Sequence, residues 1–109
     1  QALNLLNDPV FFEAAQALAL RLLRERQAGL GDRIDYAFKL CLGRAPNPSE
    51  KDRLIRYYRQ QQEILAHNPE SIEGLFPAKT MEGVDPAEAA VWVLLSRVLL
   101  NLDEFIFRG

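Results

Sequence analysis

The sequence predicts an all-α fold: a compact bundle of four principal helices, with a short extra turn or helix at the N terminus and a long loop before the last helix. Three observations carry this prediction. Apolar residues recur at spacings of three and four through separate stretches, the period of a helix with one buried face. Asp8-Pro9, Asn47-Pro48 and Asp85-Pro86 each place a good capping residue before a proline suited to the first helical position. No stretch alternates apolar and polar residues for long enough to read as a strand.

Residues 1–7, QALNLLN, are apolar enough for a short turn with Leu3 and Leu6 facing inward. From Asp8-Pro9 a long helix runs to about residue 26. Phe11, Ala15, Leu18 and Leu22 share one face, Phe12, Ala19 and Leu23 lie beside it, and Glu13, Gln16 and Arg24 line the outside. Its alanines favour helix and permit close packing. Gly29 and Gly31 are expected to end it. Asp32 is expected to cap a second helix to about residue 42, with Ile34, Ala37, Phe38, Cys41 and Leu42 inward and Gly43 as the stop.

RAPNPSE then opens the third helix. Asn47 is the cap, Pro48 the first position, and Glu50 completes a capping box. That helix is expected to run to about residue 66, with Leu54, Tyr57, Tyr58, Gln61, Ile64 and Leu65 facing in or half in. Residues 67–84 show no sustained period beyond one helical turn at 70–75, and Ile72, Leu75, Phe76 and Met81 are expected to pin this loop to the body.

The last stretch, DPAEAAVWVLLSRVLLNLDEFIF, organises the rest. Ala90, Val91, Leu94, Leu95, Val98, Leu99 and Leu102 make one face, while Trp92, Val93 and Leu100 cover much of the other. A helix apolar on both sides belongs at the centre of a bundle or at an interface. Its longest wholly apolar run, residues 89–95, is seven residues, well short of the roughly 18 to 20 that a membrane span needs.

Residues 1–109 are read as one helical domain, and because the sequence opens in mid-pattern at Gln1 it is expected to be a piece of a larger protein. The formal charge is −2, which exerts no general pull toward nucleic acid. The distribution is uneven: residues 20–60 hold ten basic and five acidic side chains, residues 61–109 three and eight. The halves are expected to complement each other inside one fold; the alternative is a basic surface of Arg33, Arg44, Lys51, Arg56 and Arg59 for an acidic protein partner. The run KDRLIRYYR resembles a nucleic-acid helix only superficially, because Glu50 and Asp52 interrupt it and the tyrosines stand where the core needs them. No nucleic-acid partner is expected.

Chemistry is sparse. His67 is the only histidine, placed where an imidazole meets the open carbonyls of a helix end, and Cys41 is the only cysteine, with apolar neighbours that mark it as a small core residue. No metal cluster, phosphate loop, haem-attachment motif or nucleophile with its base is legible, so no catalytic, cofactor or metal residues are assigned. Arg97 stands out as the one cation inside the apolar helix. It is expected to pair with Asp103 or Glu104, or with Asp32 or Asp35, as a clamp on the C-terminal tail. An anion contact is the alternative.

Three pieces carry a resemblance: LLNDP at 5–9, Leu-Gly-Arg followed by Pro and Glu at 42–50, and LLNLDEF at 99–105. In their order and spacing they resemble the DUF1553 family, a C-terminal domain of unknown function of large exported multidomain proteins of Planctomycetes and related bacteria. The likeness is read over essentially all 109 residues. It implies upstream domains, often including a cytochrome-c-like module, to which any haem would belong. It supplies no catalytic residue to carry over. The function expected is a non-catalytic helical module that packs against upstream domains of the same chain or a protein partner. The alternative is part of an enzyme whose active site the upstream domains complete. Leu3, Leu6, Phe105 and Phe107 are expected to remain as partner-covered apolar surface.

Overall fold

The computed structural model describes residues 9–25, 29–76 and 83–108, with side chains of the last helix to Leu102. Five helices make up these residues: α1 (Pro9–Glu25), α2 (Leu30–Leu42), α3 (Pro48–His67), α4 (Glu70–Leu75) and α5 (Pro86–Arg108). No strand occurs among them, and the fold is the all-α bundle the periodicity predicts.

α5 is the hub, because α1, α2, α3 and α4 all pack on it. Its start follows from local chemistry. Pro86 takes the first position, Asp85 Oδ1 accepts the Ala87 N–H at 3.2 Å, and the Asp85 carbonyl accepts the Ala89 N–H at 2.9 Å. From Ala89 to Val93 every residue is buried, so this turn is enclosed on all sides. Leu95, Ser96 and Leu99 continue the core. Ala15 and Ala19 of α1 are fully buried, and their small side chains let that helix approach closely.

α3 carries the capping box expected of it: the Asn47 side chain accepts the Glu50 N–H at 2.8 Å, and the Glu50 carboxylate accepts the Asn47 N–H at 2.9 Å. At its other end the Asn68 amide donates to the Ile64 carbonyl at 2.9 Å, and His67 Nδ1 lies 3.0 Å from the Glu63 carbonyl oxygen. Gly43 closes α2 at φ 77°, a left-handed conformation that glycine adopts without steric cost.

Four details differ from expectation. α2 starts at Leu30 with Gly29 as its cap, so Asp32 lies in the first turn, where its charge suits the helix dipole. Gly31 is therefore inside α2, facing the Lys51 side chain. Ile64 is 51% exposed, because α3 buries a narrower stripe of Leu54, Tyr58 and Leu65. Gln16, expected outside, reaches across to donate to the Leu75 carbonyl at 2.9 Å. That bond and the buried ring of Phe76 hold the 67–76 segment to the body. Met81, Leu3 and Leu6 lie outside the described residues, as do the side chains of Phe105 and Phe107.

Candidate functional site

Beyond its enclosed first turns, α5 leaves one stripe incompletely covered. Leu94, Arg97, Val98, Asn101 and Leu102 are half-buried or exposed and follow one another at helical spacing. Tyr57 of α3 stands opposite. Together they line a depression of about 280 Å³. It adjoins a second of about 360 Å³, bounded by Phe38, Leu54 and Tyr57, with Glu50 and Arg53 at its edge. The two share Tyr57, Val98 and Leu102 and form one groove between α3 and α5. Burial raises the pKa of the Tyr57 phenol, and the nearby Arg97 charge opposes that shift.

The basic residues marked in the sequence are largely neutralised within the fold. Arg44 grips the Glu50 carboxylate through two bonds of 2.9 Å, and its guanidinium lies 4.9 Å from the centre of the Phe38 ring. This grip, together with the Asn47 N–H, holds the Glu50 carboxyl down at a pKa of about 2. Lys51 Nζ meets Asp35 at 3.0 Å, and Arg56 meets Asp52 at 2.9 Å. Arg33 is not on that surface at all. It is buried, donates to Glu88 at 3.3 Å and stacks 5.5 Å from the Trp92 ring centre. Arg53 and Arg59 are exposed on α3.

Arg97 lies 6.0 Å from the centre of the Phe12 ring, within range of a cation–π contact. Of its expected partners, Asp103 and Glu104 have side chains outside the described residues, Asp35 is engaged by Lys51, and Asp32 is exposed. Cys41 is half-buried against the core. Among the described residues, no three His, Cys, Asp or Glu side chains gather as metal ligands would. No helix among them is long and apolar enough to cross a membrane.

Sequence reasoning missed the cluster of buried Arg33, Trp92 and Tyr58 with half-exposed Glu88. The Tyr58 and Trp92 rings lie 5.4 Å apart at 56°. Neither the Trp92 indole nitrogen nor the Ser96 hydroxyl, both fully buried, has a hydrogen-bond partner among the described residues. A faint signal existed in the spacing: Glu88 and Trp92 are four apart on α5, so a residue packed between them meets an acid and an aromatic face at once.

Residues 1–58 match the family described as Protein of unknown function (DUF1553), PSD1. This stretch is more than half of the chain, and the chain belongs to that family. The match covers α1, α2 and the first half of α3, including the motifs at 5–9 and 42–50. The motif at 99–105 lies beyond it, so the family likeness is narrower than the full length read from the sequence. No curated protein and no solved structure matches the chain.

Proposed function

We propose that this chain is a non-catalytic helical docking module, and that its groove between α3 and α5 receives an apolar, acid-bearing segment from another domain of the same parent protein. The observation that supports this reading is the open stripe from Leu94 to Leu102 on the helix that otherwise forms the core. Exposed Leu102 and half-buried Val98 and Tyr57 gain from being covered, at roughly 25 cal/mol per Å² of apolar surface removed from water. Eight helical steps span about 12 Å, enough for two turns of a partner helix lying in a groove. Exposed Arg53 at its edge supplies positive potential, which is why the occupant carries acids. The parent is a larger exported multidomain protein of the planctomycete type, often with a cytochrome-c-like module, a reading supported by the motifs at 5–9, 42–50 and 99–105.

The test is association in trans. The upstream part of the parent, produced separately, binds this chain, and Leu102→Glu and Arg53→Glu each weaken capture at least ten-fold without loss of helical circular dichroism. Absence of association, or indifference to both substitutions, overturns the reading.

A further inference from the structure

The charge at the edge of the groove is set by a residue that lines neither of its depressions. Glu50 and Arg53 of α3 both stand at the edge of the 360 Å³ depression. They are three positions apart on one helix, close enough for a carboxylate and a guanidinium to pair. Arg44 prevents this by taking both Glu50 oxygens, Nη1 to Oε1 and Nη2 to Oε2, each at 2.9 Å. Glu50 Oε1 also accepts the Asn47 N–H. The Arg44 guanidinium is itself steadied 4.9 Å from the centre of the Phe38 ring, a wall of the same depression. Arg53 is exposed and enters no ion pair among the described residues, so its charge is left for something else.

A second donor stands beside it. Tyr57 follows Arg53 by four residues, so the two share a face of α3, and both line this depression. The phenol is half-buried, and burial raises its pKa, so the hydroxyl stays protonated and able to donate. It makes no hydrogen bond among the described residues. Arginine and tyrosine beside an apolar bed are the side chains on which binding energy concentrates at interfaces. The bed here is Phe38, Leu54, Val98 and Leu102, and its volume is within the range of sites that take a small group.

We infer that Arg53 and the Tyr57 hydroxyl form a carboxylate site at the groove edge, and that Arg44 keeps it open by holding Glu50 away from Arg53. This rests on the groove being the docking surface proposed above, and it names what the occupant presents there. That is one acidic side chain, beside a large apolar residue seated among Phe38, Leu54 and Val98. An ionised carboxylate only accepts hydrogen bonds, which a guanidinium and a phenol both donate. A cation would meet Arg53 unopposed, because the acid at this edge is already engaged by Arg44. Arg44 is a positioning residue: it acts on the occupant through Glu50 alone.

The experiment titrates this chain with 4-phenylbutanoate, whose ring and methylenes stand for the apolar residue and whose carboxylate stands for the acid. The uncharged counterpart is 4-phenylbutan-1-ol, and the amide resonances of Arg53, Tyr57 and Leu102 report occupancy. The butanoate is expected to bind at least ten-fold more tightly than the alcohol. Arg53→Gln lowers its affinity at least three-fold and Tyr57→Phe at least two-fold. Arg59→Gln, the same loss of charge elsewhere on α3, leaves it unchanged. Arg44→Met lowers it at least three-fold, because the released Glu50 turns to Arg53. Adding Glu50→Gln to that variant restores it, and glutamine preserves the capping box, so the recovery does not come from a changed helix start. A merely structural role for Arg44 would not be reversed by this second substitution. The inference is overturned if the butanoate does not bind, if the alcohol binds as tightly, if Arg44→Met has no effect, or if the double variant stays weak. The docking reading fails separately: carboxylate-selective binding that depends on Arg44, without capture of the upstream part of the parent, assigns the site to a free small acid. Capture of that part which is indifferent to Arg44→Met overturns the inference and leaves the docking reading intact.

Discussion

Arg33 Nη1 donates to Glu88 Oε2 at 3.3 Å while its guanidinium lies 5.5 Å from the centre of the Trp92 ring. The side chain of Arg33 is 10% exposed and that of Glu88 43%, so the pair is half withdrawn from water. It joins α2 to the first turn of α5 at the place where the core is most enclosed. A double-mutant cycle on Arg33 and Glu88, measured by urea denaturation, should give a coupling of about 1–3 kcal/mol. The same cycle on Arg21 and Glu25, a pair 55% and 40% exposed, should give under about 0.5 kcal/mol. Equal couplings would show that burial does not strengthen the inner pair.

The central position of α5 has its own test. Leu95 is fully buried, and Leu95→Ala should cost roughly 2–5 kcal/mol, the range for deleting a core leucine with partial collapse of the cavity. A loss below about 1 kcal/mol in chemical denaturation would place α5 away from the core.

Ser96 is buried without a hydrogen-bond partner among the described residues. A stranded hydroxyl is a cost to the fold, and alanine fits the same space. Ser96→Ala should be neutral, or stabilising by up to about 1 kcal/mol. A clear drop in melting temperature would reveal a bond to that hydroxyl.

Much of this was legible beforehand, and the reasons are local. The capping box of Asn47 and Glu50 needs only residues three apart, and the spacing along α5 marks its buried faces without knowledge of its neighbours. What was illegible depends on partners distant in sequence. The burial of Arg33 cannot be seen in GDRID, because it is created by Glu88 and Trp92 more than fifty residues away. Gln16 reads as a surface residue until the Leu75 carbonyl arrives beside it. Ile64 fits a 3.6 period, but the width of the stripe α3 buries is set by its neighbours.

Glu50 supplies a dependence on pH with a defined sign. Its carboxyl is lowered from 4.5 to about 2, first by the Arg44 guanidinium and then by the Asn47 N–H. A depressed carboxyl contributes its stabilisation in full above about pH 4.5 and loses it as pH falls toward about 2. Carbon-detected NMR titration should find the Glu50 midpoint near the bottom of that window. Arg44→Met should move it back toward 4.5, and a midpoint unaffected by that change would sever the pair from the cap.

The docking account rests on the groove between α3 and α5 being covered in the parent protein. Single cysteines placed at Val98 and Leu102 measure this directly, through their rates of thiol alkylation followed by peptide mass spectrometry. The rates should be at least ten-fold slower in the full parent protein than in this chain alone. Cys41, half-buried on α2, serves as the internal reference and should react equally in both. Equal alkylation of the two introduced cysteines in both settings would leave the groove open in the parent and contradict the account.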